Sequence, residues 1–380
     1  MSSQAAMEDR RARSRQQPVT GVREGTMRKV MAAIAAVACA VLVLGVSHAE
    51  DTYDIKVYPC PKADGPIAVD GALDEAAWQA APLVTGFTWY NNAELAGVQA
   101  LFRAVYDDSA LYFGVTCDEP NLDKLAPVRQ ARDTHAVFDG ETIEIFVDPK
   151  HDGNYYQFAA NAAGSVWDSR GFDSTWNAEV TAGAKLDQAA KQWTLEFAIP
   201  WKELGGKAIP GAVVGFNVCR DRYLGGSREW SNWSQTQANF HDPDRFSHLV
   251  LSATPERLAE LAPEFRKGDR RGRLVIYSSE GFANTTYLAL ARESLKKVDS
   301  QLAGLEQVAG EQSDPVTRAE LEKRLTAYRD EIKPFQQQVA GGTGIDAAAW
   351  MKIDLRADQL TRELGQVLWE ARLAALLSGL

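Results

Sequence analysis

Aromatic rings are the side chains of this protein best suited to hold a ligand, and they cluster in one region. Eight of the ten tryptophans lie between Trp78 and Trp233. A ring offers a flat apolar face, and Trp and Tyr add a polar group at its edge, so an exposed ring can stack on a flat ligand. Rings also fill cores, and the sequence leaves both roles open for most of them.

Catalytic chemistry has less support in the sequence. Carboxylates are plentiful, so the acid and base of a glycosidase are compatible with the composition. However, the chain has no GxSxG, HExxH, P-loop or GxGxxG motif. The four histidines that follow the amino-terminal segment, His135, His151, His241 and His248, lack the spacing of metal ligands. We therefore expect a binding protein rather than an enzyme, with a glycoside hydrolase as an alternative.

Composition and charge exclude several other classes. Of the 380 residues 45% are apolar, which is enough to bury a core and argues against disorder. Lys and Arg total 41 while Asp and Glu total 51, which gives a net charge of −10. Nucleic acids and anionic membranes attract positively charged surfaces, so neither is an expected partner. Only one long apolar run is present, which excludes a multi-span membrane protein.

That apolar run has the features of an export signal. Arg28 and Lys29 precede the uncharged segment Val30–Val46, and small residues follow it up to Ala49. A positive segment, an apolar segment and a small-residue cleavage site together are typical of a secretory signal peptide. Residues 1–49 are therefore predicted to be an extension plus signal peptide that is cut after Ala49. The mature protein is then secreted or periplasmic and does not stay in the membrane, whereas an uncleaved anchor is the alternative.

Three cysteines, Cys60, Cys117 and Cys219, remain after such a cut. Three allow at most one internal disulfide in an oxidising compartment. Cys117 and Cys219 sit in strand-like segments, where a cysteine also serves as a small buried residue. The pairing is not determined by the sequence.

Residues 50–254 have the pattern of short strands separated by turns. The segment Trp193–Ile199 alternates large apolar residues with smaller or polar ones, which is the period of a half-buried strand. Eight to ten such segments occur without long helices between them, so the fold class is mainly β. We expect an antiparallel β-sandwich of the jelly-roll type, with one short helix at Asp74–Ala81.

The periodicity changes in the carboxy-terminal third. Apolar residues follow a spacing of three and four, as in Leu288, Ala291, Leu295, Val298 and Leu302. This spacing predicts helices that pack along a seam, as in a coiled coil. Breaks near Pro315 and at residues 341–344 divide residues 274–380 into a bundle of three helices. Residues 255–273 are rich in charge and are predicted to be a linker, after which Leu274–Tyr277 could add a strand.

The end of the third helix is more apolar than a seam requires. A three-helix core would leave some of these side chains uncovered, which would mark a surface for a second copy or a protein partner. The residues concerned are Leu368, Trp369, Leu373, Leu376, Leu377 and Leu380.

The order of motifs over about residues 60–252 resembles family 9 carbohydrate-binding modules. Each motif alone is weak, but seven occur in the order found in that family. They are Ile67–Trp78, Tyr106–Asp108, Glu141–Pro149, Tyr156–Phe158, Trp193–Trp201, Gly215–Val218 and Phe240–Pro243. The resemblance implies a sandwich that binds saccharide and that accompanies glycoside hydrolases in secreted proteins. It does not extend to Pro255–Leu380.

The resemblance also implies where a sugar would bind. Well-known members hold the sugar between two tryptophans, and the matching positions here are Phe138 and Phe240. Glu144 matches a carboxylate that forms a hydrogen bond with the sugar. The family's arginine and glutamine contacts fall at Ala159 and Cys219, so they are not retained.

Two further features could complete the site. Trp230 and Trp233 come shortly before Phe240 and are the leading candidates for an additional stacking platform. Calcium is common in the family, and the acidic loops Asp107-Asp108 and Asp148–Asp152 could supply the oxygen ligands that calcium prefers. A structural or adaptor sandwich without a ligand, presented on an oligomeric helical bundle, is the alternative function.

Overall fold

The computed structural model describes residues 53–224, 226–266 and 272–378, with side chains up to residue 374. The expected leader at residues 1–49 lies outside the described residues, as do Leu380 and the side chains of Leu376 and Leu377. Two β-sheets and a set of carboxy-terminal helices make up the described part. Its strands are β1 Ile55–Cys60, β2 Thr88–Trp89, β3 Ala100–Tyr106, β4 Ala110–Asp118, β5 Thr142–Asp148, β6 Tyr156–Asn161, β7 Val166–Arg170, β8 Thr181–Asp187, β9 Gln192–Pro200, β10 Val213–Arg222, β11 Glu229–Asn232, β12 Ser247–Leu251, β13 Leu274–Ser278, β14 Gly281–Phe282 and β15 Thr285–Thr286.

The strands form one large and one small sheet. The large sheet follows the order β15-β14-β13-β1-β12-β10-β5-β6-β7, with β11 beside β10 and β2 beside β11. The small sheet has the order β3-β4-β9-β8. Pairing is antiparallel except that β1 runs parallel to β12 and β13. The predicted mainly β sandwich is confirmed.

The core lies between the two sheets because every second residue of each strand points inward. On β5 these inward residues are Ile143, Ile145 and Val147, and each is fully buried. Trp193 on β9 fills the same core with no exposed surface. The alternate residues of β5, among them Glu144, point to the opposite face of the large sheet.

A buried carboxylate fixes the start of the first motif. Glu196 on β9 accepts hydrogen bonds from the backbone N–H of Asp70 (2.9 Å) and of Gly71 (2.6 Å). It also accepts one from Nε1 of Trp78 at 3.0 Å. Trp78 lies in the short helix α1 (Ala76–Ala80) and is fully buried. Gly71 has φ +88° and approaches the backbone of Ala184 so closely that a Cβ there would lie 2.7 Å from the Ala184 carbonyl carbon. Only glycine fits that contact.

Residues 255–273 differ from the predicted linker. Helix α2 covers Pro255–Phe265, and the Thr254 side chain caps its first turn. Leu261 and Phe265 are buried against the large sheet, where they meet Ile55 and Val250. A cap, an initial proline and apolar residues four apart outweigh the local charge and produce a packed helix.

The sandwich also extends further along the chain than predicted. The strand considered at Leu274–Tyr277 is confirmed as β13, but it pairs in parallel with β1, so it belongs to the large sheet rather than to the bundle. β14 and β15 continue the sheet from its edge. The boundary between sandwich and bundle therefore lies at about Thr286 instead of residue 274.

Three helices follow, and their breaks occur where the sequence predicted them. They are α3 Tyr287–Glu311, α4 Pro315–Gly341 and α5 Ala347–Ser378. Their shared core contains residues of the predicted seams, among them Val298, Leu325 and Leu360. Asp314 caps α4, and Gly342 ends it in the left-handed conformation.

Aromatic contacts attach the bundle to the sandwich. Tyr287 at the start of α3 donates a hydrogen bond from its hydroxyl to the carbonyl of Leu83 at 3.3 Å. Its ring stacks on that of Trp350 from α5, with 5.4 Å between ring centroids. Trp350 also contacts Phe282 of β14. The bundle is thus a docked part of the same body and not a tethered tail.

Two further properties of the described part concern its cysteines and the character of its helices. Cys60, Cys117 and Cys219 are all buried and unpaired, so the disulfide considered from the sequence is not formed. Within the described ranges, we find no helix with the length and apolar character needed to cross a membrane.

Candidate saccharide-binding site

A cavity of about 630 Å³ lies on the face of the large sheet that points away from the small one. This volume is in the range of small-molecule sites. β5, β6, β7, β10 and β11 contribute to it, together with the segments 135–138 and 238–241. Its aromatic lining consists of Tyr90, Phe138, Trp167, Phe172, Tyr223, Trp230 and Phe240, and its polar lining includes Glu144, Gln157, Ser169, Asp221, Arg228 and Asn239.

The strand register explains why the polar residues meet. Glu144 pairs with Ala159 on β6 and with Cys219 on β10, and paired residues lie on the same face of a sheet. Gln157 and Asp221 are each two residues from those partners, so they point to the same side as Glu144. Trp230 pairs with Asp221 and shares this face.

These polar side chains form a hydrogen-bonded row across four strands. The hydroxyl of Ser169 donates to Oε1 of Gln157 at 3.1 Å. The amide of Gln157 donates to Glu144, and Glu144 is hydrogen-bonded to Asp221. Among the described residues no partner reaches the Oδ1 atom of Asp221. The row therefore ends on a free acceptor at the cavity floor.

Burial controls the protonation of the two carboxyl groups. It raises the pKa of Glu144 well above the usual carboxyl range, and the charge of Asp221 raises that pKa further. Burial also raises the pKa of Asp221 to about 7, although the hydrogen bond from Glu144 and the positive charge of Arg228 oppose this shift. Two buried carboxyl groups in contact cannot both ionise readily. Glu144 thus keeps its proton and donates it to Asp221.

One group of rings surrounds Phe138. This residue belongs to a short 3₁₀ helix at His135–Asp139, and its ring centroid lies 5.6 Å from that of Trp167 on β7. His135 packs on both rings, at 5.5 Å and 6.2 Å. Trp167 is on the cavity face because it pairs with Ala159.

A second group of rings surrounds Trp230. Tyr90 packs edge-on against Trp230 with 5.6 Å between centroids, and against Phe240 with 6.3 Å. The guanidinium of Arg228 lies over the Trp230 ring at 5.5 Å and over the Tyr223 ring at 4.7 Å. Trp230 keeps 37% of its surface exposed, whereas Phe240 keeps only 9%. Trp230 therefore offers more ring surface to a ligand than Phe240 does.

An exposed phenylalanine stands at the mouth of the cavity. Phe172 follows β7, has 80% of its surface exposed and stacks on His241 with 4.5 Å between ring centroids. His241 in turn has its Nδ1 atom 2.9 Å from the hydroxyl of Tyr155, and burial lowers its pKa. An exposed apolar ring with a fixed neighbour is suited to contact a ligand as it enters.

Buried ion pairs hold the segment that carries Tyr223. Glu141 accepts hydrogen bonds from the backbone N–H of Tyr223 (2.7 Å) and of Leu224 (3.1 Å). Glu141 also pairs with the buried Arg220 at 3.3 Å. The Tyr223 hydroxyl donates to the carbonyl of Phe138 at 2.7 Å, which joins the two rims of the cavity. This network preorganises the rim.

Four of the five site residues predicted from the sequence line this one cavity: Phe138, Glu144, Trp230 and Phe240. Trp233 does not. It is fully buried in the sandwich core, and its Nε1 atom donates to the carbonyl of Thr85 at 3.1 Å. Its assignment to a stacking platform was wrong because Trp233 directly follows β11, and residues three apart along an extended chain point to opposite sides.

The acidic loops do not fit the calcium sites considered above. Asp107 accepts hydrogen bonds from the backbone N–H of Ser109 and of Ala110. The carboxylate of Asp148 accepts from the backbone N–H of Asp152 and of Gly153. In the described ranges no group of three or more His, Cys, Asp or Glu side chains could hold a metal ion. These carboxylates shape turns, as aspartates commonly do.

Several lining residues were not predicted from the sequence. Asp221 and Gln157 needed the strand register, which no local pattern reveals. Trp167 was ambiguous because a tryptophan near a strand end suits both a core and a surface. A usable signal nevertheless existed: Gln157 and Asp221 lie two residues from Ala159 and Cys219, the positions of the family's arginine and glutamine contacts, and residues two apart on a strand share a face.

Comparison with known proteins finds a family model and solved structures that are similar to part of this chain. Residues 69–254 match the family model described as carbohydrate family 9 binding domain-like. A family 9 module from Caldicellulosiruptor kristjanssonii in complex with cellotriose is 18% identical, with a TM-score of 0.40 over 54% of this chain and 96% of that one. The same kind of module in complex with glucose is also 18% identical, with a TM-score of 0.38 over 54% and 98%. No curated protein shows significant similarity to the chain. The resemblance to family 9 carbohydrate-binding modules that the sequence predicts is thereby confirmed over residues 69–254.

Proposed function

We propose that this protein binds a saccharide in the cavity on the large sheet and does not hydrolyse it. The observation that carries the proposal is the combination of exposed rings with a row of buried hydrogen-bonding groups in one cavity. A sugar ring has apolar faces that stack on aromatic side chains and hydroxyl groups that need partners when they are buried. The family match supports the same conclusion.

The spacing of the two acidic residues favours binding over hydrolysis. Glycosidases hold their carboxyl groups about 5–5.5 Å apart when they retain configuration and about 6.5–9.5 Å apart when they invert it. Glu144 and Asp221 are in direct hydrogen-bond contact, which leaves no room for a glycosidic bond between them. An accessory role in carbohydrate breakdown, next to enzymes that cleave the polymer, suits such a module.

Retention on insoluble and soluble polysaccharides tests the proposal. The mature protein is mixed with cellulose, xylan, mannan and pectin, and tryptophan fluorescence is recorded with oligosaccharides of each. We expect retention on at least one polymer and a spectral change with its fragments, because Trp167 and Trp230 line the cavity. Release of reducing sugar from any polymer would contradict the non-catalytic role.

Absence of binding to the whole panel would instead favour the adaptor function. The observation behind that second candidate is the exposure of Trp369 (62%) and Leu373 (40%) on α5. Light scattering would then show whether the full mature chain is a dimer or larger, and whether Trp369→Ser with Leu373→Ser makes it monomeric. A monomer before and after substitution would remove the adaptor function as well.

Export is a further part of the proposal, supported by the charged and apolar segments at Arg28–Ala49. Amino-terminal sequencing of the protein from its native host should begin at Glu50. A chain that retains Met1 or Met27 in the cytosol would contradict export.

A further inference from the structure

Asp221 differs from the other polar groups of the cavity in having an unused hydrogen-bonding atom. Its side chain lines the cavity and only 4% of the residue is exposed. Its Oδ1 atom has no hydrogen-bond partner in the described part of the chain. A buried carboxylate oxygen without a partner is destabilising unless a ligand or water supplies a donor.

The row of hydrogen bonds runs in one direction and ends at Asp221, through the carboxyl oxygen other than Oδ1. Ser169 donates to Gln157, Gln157 donates to Glu144, and the proton of Glu144 is shared with Asp221. Each donor group in the row has at least one acceptor within the row, whereas Oδ1 of Asp221 has no partner among the described residues. What the floor offers to a ligand is an acceptor.

On the basis of the proposed saccharide binding, we infer that Asp221 contacts the ligand directly, accepting a hydrogen bond from a hydroxyl group of an uncharged sugar. No motif of the family assigned this residue. Since Glu144 stays protonated, the ionised Asp221 is the negative group of the floor, and a uronic acid or sulfated sugar would bring a second negative group against it. Neutral sugars are therefore the ligand class that the floor accepts.

The charges near Asp221 come from every side of the cavity. Glu144 and Glu141 lie on or next to β5, and Cys219 precedes Asp221 on β10. The rim supplies further titratable or charged groups, which are Tyr223, Arg228, His135 and His241. Arg228 is the cation that acts on Asp221, but its guanidinium is stacked on Trp230 and Tyr223. It compensates one negative charge at most.

Ligand binding should then depend on pH through Asp221. The carboxyl is already buried, so a ligand removes little additional water, but it adds a hydrogen bond that is stronger to the ionised form. That hydrogen bond lowers the pKa of Asp221 below its value of about 7 in the free protein. The affinity for the saccharide is therefore highest above pH 7 and decreases as the pH drops below 7.

The test measures the affinity of the full mature protein for cellotetraose, xylotetraose and mannotetraose at pH 8 and at pH 5.5. We expect the tightest-binding of these three sugars to bind about fivefold to tenfold more weakly at pH 5.5 than at pH 8. That change corresponds to a decrease of about one unit in the pKa of Asp221 when the ligand binds. Tetragalacturonate should bind at least tenfold more weakly than that sugar at pH 8. In Asp221→Asn the affinity at pH 8 should fall and its pH dependence should disappear.

His241 and His135 are the competing titratable groups, so His241→Gln and His135→Gln serve as matched variants that should keep the pH dependence. Loss of the pH dependence in a histidine variant, or its survival in Asp221→Asn, would overturn the inference.

Calorimetry of the unaltered protein at pH 7 in buffers of different ionisation enthalpy gives an independent measurement. We expect close to half a proton to be released for each ligand bound. If neutral sugars bind with no pH dependence, this inference fails while saccharide binding stands, whereas failure of all sugars to bind at either pH refutes both.

Discussion

Trp230→Ala should weaken binding to the preferred oligosaccharide by about tenfold to a hundredfold, the range expected for a central aromatic contact. Trp230 shares the cavity face with Asp221 because the two residues pair across β10 and β11. Among the rings grouped around Trp230, its own is the most exposed, and Tyr90 and Arg228 hold it in place. Truncation removes that surface without opening the core. Titration of the oligosaccharide by calorimetry gives the affinity.

Trp369→Ala is the matched control for this loss. Trp369 is also an exposed tryptophan, but it lies on α5 in the helical bundle. Its removal should leave saccharide affinity unchanged. Equal binding by Trp230→Ala and the parent protein would show that the cavity on the large sheet is not the binding site. Phe240 is a poorer choice for this test because it is nearly buried, so its truncation would mix a loss of stability with a loss of binding.

The helical part of the protein was largely predictable because its signals are local. The spacing of three and four along each helix defines the buried side, and Asp314 and Gly342 define the ends of α4. Helix α2 was missed although its signals were also local. Thr254 and Pro255 mark its first turn, but Pro263 and the neighbouring charges concealed the apolar positions Leu261 and Phe265.

The cavity was only partly predictable because its floor is made by strand register. Glu144, Phe138 and Phe240 could be located by their motifs, but Asp221 lies 77 positions from Glu144 and meets it only through the pairing of β5 with β10. Pairing between strands distant in sequence is set by the whole sheet, and a shift of one residue would turn Asp221 inward. The sequence therefore predicts the site's location better than its chemistry.

Trp230 and Trp233 show both what strand register hides and what residue spacing alone can reveal. Side chains three apart on a strand point to opposite faces, so these two tryptophans could not both serve one platform. That much follows from their spacing alone. Which of the two faces solvent depends on the neighbouring strands, and the structure places Trp233 inside.

Trp233→Ala should lower the free energy of unfolding by about 3–5 kcal/mol, the cost of removing a large ring from a core. The ring is fully buried and packs against Phe102 (5.0 Å), Tyr277 (5.1 Å) and Phe216 (5.4 Å). Its truncation also leaves the buried carbonyl of Thr85 without its donor. Urea unfolding followed by circular dichroism measures the change.

Trp230→Ala is the comparison that separates the two roles of these neighbouring rings. It should shift the urea midpoint far less than Trp233→Ala does, because the exposed Trp230 ring leaves no closed void. Trp233→Phe keeps a ring in the core and should recover part of the lost stability, although it still lacks the N–H that reaches Thr85. Saccharide affinity of folded Trp233→Phe should match that of the parent, since the ring is not part of the cavity lining. Parental stability combined with lost binding in the Trp233 variants would place that ring on the surface and reverse the roles assigned here.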